Sequence, residues 1–240
     1  MGDTRQQHAW QAEQPRSRPR AFTRRVAAVS IIALVAVVLA LYTGLTHLDP
    51  EQSLTGSPHS AVTYEPANSR PAIVCLGDSL TAGDGAPPSQ SYPAWLQRQL
   101  DAAGYKFQVV NAGHSGDRVA DGLARLQDDV LRFHPVLTIV ELGSNDPGNT
   151  PADTWQRQLS DIVAQLQAQH SGVILGGLDE PGMTDRYKAV GSRYGVPVVW
   201  FTDNLWSRPG LWANAHHPNG AGYQVVMQSF WPAVLQALKG

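Results

Sequence analysis

The sequence has few of the features on which disulfide, metal-cluster or nucleic-acid chemistry depends. Cys75 is the only cysteine among 240 residues, which excludes an intramolecular disulfide and a metal cluster held by several thiolates. Neither sign of charge dominates, because 18 basic and 20 acidic side chains give a net charge of −2, without the basic excess typical of nucleic-acid binding. Charged residues make up only 16% of the chain and hydrophobic residues 42%. This composition predicts a globular protein with an additional apolar segment and no nucleic-acid partner.

The additional apolar segment lies near the N-terminus and predicts a membrane anchor. Residues 26–45 contain no charged side chain, and a helix of this length spans roughly the 30 Å core of a bilayer. Six arginines precede it within residues 1–25, whereas residues 46–70 contain only Arg70 and no lysine. The positive-inside rule then predicts a single-pass protein of the inner, cytoplasmic membrane. We expect its Arg-rich tail in the cytoplasm and the chain beyond residue 45 in the periplasm or outside the cell.

A cleavable signal is the alternative to a retained anchor. The best small-x-small site is Val38-Leu39-Ala40, which is a poor cleavage signal, and Thr23-Arg24-Arg25 is only faintly similar to a twin-arginine motif. An uncleaved anchor is therefore favoured. Residues 46–70 are rich in Pro, Ser, Thr, Gln and Asn and too poor in apolar residues to pack, which predicts a flexible linker to a single domain over residues 71–240.

Apolar runs and amphipathic stretches alternate through this domain. The candidate strands are 72–76, 107–110, 137–142, 173–175 and 196–201, and the candidate helices are 92–103, 119–133, 152–169, 184–194 and 221–238. Alternation at this spacing predicts βαβ units, and thus a parallel five-stranded sheet covered by helices on both faces, an α/β fold in three layers. In the common strand order 2-1-3-4-5, the ligand crevice borders the loops after strands 1 and 3.

The stretch Ala72–Gly83 predicts a buried strand that delivers a serine. Five apolar residues run into Gly77, and Ser79 follows at the carboxyl end of the strand, where open α/β sheets place their chemistry. Such a serine is also a common helix N-cap, so it needs a partner before it counts as a nucleophile. A serine hydroxyl becomes a good nucleophile when a base, usually histidine, takes its proton.

Eight histidines compete for the role of base. Five lie outside the predicted crevice. His8 precedes the anchor, and His47 and His59 follow it. His134 and His170 lie near helix ends. His114, His216 and His217 remain. Pro218 restricts His217 to extended backbone, and this turn follows the fifth strand at the same sheet edge as Ser79. A histidine pair holding a metal is disfavoured, since adjacent side chains on an extended segment point in opposite directions.

An acyl-transfer site also needs donors aimed at the developing oxyanion. The natural candidates are the backbone N–H groups of Ser79 and Gly116 and the side-chain amide of Asn145, each at the end of a different strand. Taken singly, Gly116 is equally well explained as a tight turn, Asn145 as an ordinary turn residue and His217 as a surface histidine. Together with Ser79, they follow the ends of four different strands, which favours the catalytic interpretation.

These blocks resemble the SGNH/GDSL hydrolases. Ser79 lies in GDSL, Gly116 in NAGHSGD, Asn145 in GSND and His217 in HPN, and the similarity extends over nearly all of residues 72–238. The nearest branch is that of the bacterial periplasmic esterases, thioesterases and lysophospholipases. The resemblance implies a flavodoxin-like α/β/α fold, Ser79 as nucleophile, His217 as base, and an oxyanion hole formed by Ser79, Gly116 and Asn145. No cofactor and no metal ion are expected.

One position departs from the family pattern. The family has an aspartate three residues before the histidine, whereas this chain has Asn214. An amide oxygen can accept a hydrogen bond from the imidazole ring but cannot stabilise an imidazolium with a full charge. Asp203, after the fifth strand, is a candidate substitute acid. We therefore expect Asn214 to occupy the place of the third catalytic residue in an active but slow enzyme.

The sequence thus predicts serine-dependent hydrolysis of a small carboxylic ester or thioester through an acyl-enzyme, in a membrane-tethered domain facing the periplasm or exterior. Two alternatives stay open: a carbohydrate O-acetyl esterase or acyltransferase acting on envelope polymers, and a catalytically weakened binding module. The loop 176–182 carries two acids and favours a short or polar acyl group, or is simply solvated. Near His217, Trp206, Leu211 and Trp212 either form the wall of an apolar pocket or pack in the core.

Overall fold

The computed structural model describes residues 70–180, 182–203 and 205–239. The predicted tail, anchor and linker lie outside the described residues, apart from Arg70 at the end of the linker. Within the described ranges, no helix combines the length and the hydropathy needed to cross a bilayer.

Five parallel strands form the sheet at the centre of the domain. They are β1 (Ala72–Gly77), β2 (Gln108–Gly113), β3 (Leu137–Glu141), β4 (Gly172–Gly177) and β5 (Val198–Trp200). Their order is β2-β1-β3-β4-β5, and every neighbouring pair is parallel. This confirms the predicted α/β class and strand order. Each residue of β1 is buried, as its unbroken apolar sequence predicts for a central strand.

Helices cover both faces of the sheet. In chain order they are α1 (Ser79–Ala82), α2 (Tyr92–Ala102), α3 (Val119–Ala124), α4 (Leu126–Asp129), α5 (Ala152–Ala168), α6 (Thr184–Tyr194) and α7 (Gly220–Ala237). Side chains of α2 and α7, such as Leu96 and Phe230, pack on one face of the sheet. Side chains of α3 to α6, such as Trp155 and Val190, pack on the other. The result is a three-layer arrangement. Because helices cover both faces of the sheet, polar functional groups are expected in the loops at the carboxyl ends of the strands.

The prediction of one helix over residues 119–133 is wrong. The chain leaves helical geometry at Arg125 and again at Val130, which divides the stretch into α3, α4 and a short 3₁₀ turn, Leu131–Phe133. The first break coincides with an arginine whose side chain binds three groups, two of which lie outside these helices. Hydrophobic periodicity contains no information on such contacts, so the sequence pattern predicts one continuous helix across Arg125.

Two glycines at strand ends allow α1 to lie directly on the sheet. A Cβ at Gly113, the last residue of β2, would overlap the backbone of Thr81 and Ala82 in α1. A Cβ at Gly77, the last residue of β1, would overlap the side chain of Thr81 and the carbonyl oxygen of Glu141. The small residues thus let the helix that begins with Ser79 approach the carboxyl ends of the two strands.

Candidate active site

Ser79 and His217 meet at the carboxyl edge of the sheet. His217 Nε2 lies 3.0 Å from Ser79 Oγ, although the two residues are separated by 138 positions in the chain. Ser79 is the first residue of α1, and His217 ends the turn that precedes α7. A hydrogen bond of this length lets the imidazole accept the hydroxyl proton.

The nucleophile loop is fixed from several sides. The Asp78 carboxylate accepts a hydrogen bond from the Leu80 backbone N–H at 2.9 Å and so caps the start of α1. Gly83 ends this helix in the left-handed region, at φ 97°, which favours glycine. The hydroxyl of the buried Tyr223, in α7, donates to the Asp84 carbonyl at 2.7 Å. The helix that follows His217 thereby holds the loop that follows Ser79.

Asn214 organises the turn that carries His217. Its Oδ1 accepts hydrogen bonds from the backbone N–H groups of His216 and His217, both at 2.9 Å. Among the described residues, no side chain makes a hydrogen bond to Nδ1 of His217, and Ser79 is the one hydrogen-bond partner of this ring. The amide at position 214 therefore contacts the backbone of the base and not its ring. Asp203 is exposed and makes no described contact with His217.

The two other candidate oxyanion donors follow β2 and β3. Gly116 has φ 88°, where L side chains are strained, and no atom lies within 4 Å of the place a Cβ would occupy. Asn145 Nδ2 donates to the Asp117 carbonyl at 2.9 Å and to Asp78 Oδ2 at 3.3 Å. Both amide protons of Asn145 thus have acceptors in the structure, and the contact with Asp78 is the longer of the two.

Two buried carboxyl groups lie behind the nucleophile. Glu141, at the end of β3, is 1% exposed and accepts a hydrogen bond from Thr81 Oγ1 at 2.8 Å. Burial, and then the nearby Asp78, raise the pKa of Glu141 well above its usual value. Burial also raises the pKa of Asp78 to about 6, against the opposing effect of its hydrogen bonds from Ser144 and Leu80. Burial therefore favours the protonated form of Glu141.

Cys75 lies in β1, two residues before the strand ends at Gly77. It is fully buried, and burial raises the pKa of its thiol to about 12. Such burial is typical of a free cysteine that packs as a small hydrophobic residue.

The structure adds three residues to those that the sequence singles out. Glu141, Tyr223 and Arg125 hold the loops of the site, and Arg125 does so with a side chain that is only 14% exposed. A signal existed for Glu141, because an acid ends an otherwise apolar strand. Tyr223 and Arg125 lie in predicted helices, where side chains of these types are common, so nothing in the pattern distinguished them.

The chain is similar in sequence to known proteins. The model of the GDSL-like lipase/acylhydrolase family matches residues 75–225. The chain is 33% identical to the esterase TesA of Pseudomonas aeruginosa over 175 residues, which cover 68% of this chain and 87% of the relative. It is 31% identical to thioesterase 1/protease 1/lysophospholipase L1 of Escherichia coli over 160 residues, covering 61% and 75% respectively.

Solved structures show the same fold. The crystal structure of TesA aligns with a TM-score of 0.66 at 30% identity, covering 69% of this chain and 99% of that one. The structure of AlinE4, described as an SGNH-hydrolase family esterase, aligns with a TM-score of 0.54 at 31% identity, covering 70% and 97%.

The raised pKa of Glu141 has a consequence for stability. An acid whose pKa is raised by folding stabilises the protein fully below its unfolded pKa, and this stabilisation is lost as pH rises through the folded pKa. Replacing Glu141 with Gln removes the titration, so we expect the free energy of unfolding of Glu141→Gln to fall less steeply above about pH 4.5. The difference in slope is at most about 1.4 kcal/mol per pH unit, measured by chemical denaturation from pH 4.5 to 7.5.

The matched control for this measurement is Glu180→Gln. Glu180 is partly exposed, so its replacement is expected to leave the pH dependence as in the unmodified protein. Equal slopes for Glu141→Gln and the unmodified protein would contradict a raised pKa of Glu141 in the folded protein.

Proposed function

Because the chain belongs to the GDSL-like lipase/acylhydrolase family, and so to the serine hydrolases that act on esters, we propose that Ser79 and His217 are the nucleophile and base of this hydrolysis. The observation that carries the proposal is the 3.0 Å contact between Ser79 Oγ and His217 Nε2. It joins the two side-chain types that acyl transfer requires, at the sheet edge where α/β folds bind ligands.

Acylation begins at this contact. His217 Nε2 takes the hydroxyl proton as Ser79 Oγ attacks the carbonyl carbon of the ester or thioester. The carbonyl electron pair moves to oxygen, and the resulting oxyanion accepts hydrogen bonds from the N–H groups of Ser79 and Gly116 and from the Asn145 amide. When the tetrahedral intermediate collapses, the bond to the leaving alcohol or thiol breaks and His217 returns the proton to that group.

To donate a hydrogen bond to the oxyanion, the Asn145 amide must release one of its two present acceptors. Of its two acceptors, Asp78 at 3.3 Å forms the longer contact, so this proton is the one that turns to the oxyanion. The bond to the Asp117 carbonyl at 2.9 Å stays and keeps the amide oriented. Loss of one such donor typically lowers kcat by about 10² to 10³.

Deacylation repeats the same steps with water. His217 takes a proton from a water molecule, which attacks the acyl carbon of the Ser79 ester, and the bond to Ser79 Oγ breaks with return of the proton. The imidazolium forms in both halves of the reaction without a described anionic partner at Nδ1. We therefore propose that Asn214 supports catalysis by holding the backbone of His217, and that the missing charge limits the rate.

A small ester or thioester is the proposed substrate. Relatives of this chain are named as an esterase, an arylesterase and a thioesterase/lysophospholipase, which share the cleavage of a carboxylic (thio)ester. The acidic side chains after β4, Asp179 and Glu180, favour a short or neutral acyl group over an anionic one.

A carbohydrate O-acetyl esterase or acyltransferase is the second candidate. The observation that favours it is a pair of stacked indoles, Trp206 and Trp212, with ring centroids 5.0 Å apart, in the segment leading to His217. Trp206 is 56% exposed, and an exposed indole face suits the apolar face of a sugar ring. Acetyl-only hydrolysis of acylated sugars, reduced by Trp206→Ala, would favour this candidate. A weakened binding module is disfavoured by the intact contact between Ser79 and His217.

We further propose that residues 26–45 tether the enzyme to the cytoplasmic membrane, with the Arg-rich tail inside and the hydrolase domain in the periplasm or outside the cell. The charge-free segment after six arginines supports this orientation. The full chain is expected to sediment with membranes and to need detergent for release. The double variant Leu34→Arg, Val37→Arg is expected to lose this association, since each central Arg costs about 3 kcal/mol on insertion. A soluble, shortened product of the unmodified chain would instead indicate cleavage.

Replacement of the nucleophile tests the catalytic assignment directly. Ser79→Ala is expected to lower hydrolysis of a series of aryl esters by at least roughly a thousandfold, because no other group forms the acyl-enzyme. The matched control, Ser89→Ala, changes an exposed serine and is expected to retain activity. Activity that survives Ser79→Ala would exclude Ser79 as the nucleophile.

Restoring the acid tests the role of Asn214. In Asn214→Asp, one oxygen can keep the two backbone hydrogen bonds while the carboxylate charge stabilises the imidazolium, so kcat is expected to rise about tenfold or more. The acid limb of the kcat/KM profile is expected to move to higher pH. Asn214→Ala, which removes the acceptor of both backbone hydrogen bonds, is expected to lower kcat. An unchanged or lower kcat in Asn214→Asp would show that the missing charge does not limit the rate.

A further inference from the structure

Arg125 binds three separate backbone or side-chain groups around the site. Its Nε donates to Asp117 Oδ2 at 2.6 Å, and Nη1 donates to Asp129 Oδ2 at 3.0 Å. Its Nη2 donates to the carbonyl oxygen of Gly77 at 3.0 Å. The side chain is 14% exposed, and that of Asp117 16%, so this ion pair is largely shielded from water. The guanidinium makes these contacts from three different nitrogens, whereas the three donors of an ammonium group share one nitrogen and cannot reach groups this far apart in the same way.

The three contacts join the loops that carry the candidate oxyanion donors. Gly77 ends β1 two residues before Ser79, and Asp117 directly follows Gly116 in the loop after β2. The carbonyl of Asp117 accepts the 2.9 Å hydrogen bond from Asn145 Nδ2, in the loop after β3. Arg125 thus contacts the strand end before Ser79 and the loop of Gly116 directly. It is linked to Asn145 through Asp117.

Packing contributes little to holding Gly116, the candidate donor in the loop after β2, in place. Gly116 is exposed, and no atom lies within 4 Å of the position of a Cβ there. Its orientation therefore depends on hydrogen bonds made by its neighbours. On one side Ser115 Oγ donates to Asp84 at 2.7 Å, and on the other Asp117 accepts from Arg125. Since an oxyanion hole works only when its donors are held near the position of the developing charge, the Asp117–Arg125 bond is a means of preorganisation.

We propose that Arg125 is a positioning residue for the oxyanion hole, acting through Asp117 on Gly116 and Asn145. This inference rests on the proposed hydrolase function. Arg125 contacts no reacting atom, so its effect is exerted on donors that bind the transition state more strongly than the substrate. Its loss is expected to lower kcat and leave KM nearly unchanged, because interactions realised only in the transition state contribute to kcat.

The test compares Arg125→Met and Arg125→Lys with the unmodified full chain on one aryl ester. Arg125→Met is expected to lower kcat by about 10- to 100-fold with KM within about twofold, and to slow inactivation by an aryl phosphonate in proportion. Arg125→Lys keeps the charge without the three-way geometry and is expected to recover only part of kcat. The matched control is Arg118→Met, because the Arg118 side chain is exposed and, among the described residues, pairs with Asp121 one turn away. It is expected to stay within about twofold of the unmodified enzyme.

A double-mutant cycle separates positioning from a general structural role. If Arg125 acts through Asp117, then Asp117→Asn lowers kcat by a similar factor, and the double variant Arg125→Met, Asp117→Asn loses little more than either single variant. Thermal unfolding of each variant identifies those that fail to fold. If Arg125→Met does not fold, the kcat values of Arg125→Lys and Asp117→Asn are compared instead.

The outcomes distinguish this inference from the function on which it rests. Ser79-dependent hydrolysis with an unchanged kcat in folded Arg125→Met overturns the role of Arg125 alone. A loss confined to KM, or multiplicative losses in the double variant, also overturns it. Absence of Ser79-dependent hydrolysis in the unmodified chain overturns both proposals.

Discussion

The close approach of α1 to the carboxyl ends of β1 and β2 is the constraint on which the rest of the site depends. It exists because Gly77 and Gly113 have no side chains where Thr81 and Ala82 lie. With α1 in contact with the sheet, Ser79 comes within 3.0 Å of His217. The same approach brings Thr81 into hydrogen-bond distance of Glu141, so a buried acid of β3 and the nucleophile helix share one contact.

The carboxyl groups near Ser79 and His217 lie on the side of Ser79 and not beside His217. Position 214, beside the base, carries an amide, whereas Asp78 and Glu141 lie buried behind the nucleophile. A full negative charge there would oppose the oxyanion that forms nearby, and burial reduces this effect by favouring the protonated form of Glu141. Hydrogen bonds from Ser144 and Leu80 partly offset the effect of burial on the pKa of Asp78. Asp78 and Glu141 thus hold the loop that carries Ser79, while among the described residues the His217 ring has a hydrogen bond only to Ser79.

Sequence reasoning was most successful where local pattern and topology coincide. The apolar run of β1, the strand order and the placement of Ser79 and His217 at one edge follow from strand length, alternation and the rules of parallel sheets. It failed where a single side chain decides the backbone, as at Arg125, whose contacts accompany the break between α3 and α4. The sequence also could not tell that the Asn214 oxygen binds the backbone N–H groups of His216 and His217, because an amide fits either role.

The separation of Ser79 and His217 along the chain has a consequence for biosynthesis. Ser79 leaves the ribosome directly after β1, but His217 and Tyr223, whose hydroxyl donates to the Asp84 carbonyl, follow roughly 140 residues later. At a typical rate of about 5 to 20 residues per second, the growing polypeptide carries the serine for about 7 to 30 seconds without a partner. Under the proposed mechanism, hydrolytic competence therefore arises only after α7 has been synthesised and has docked.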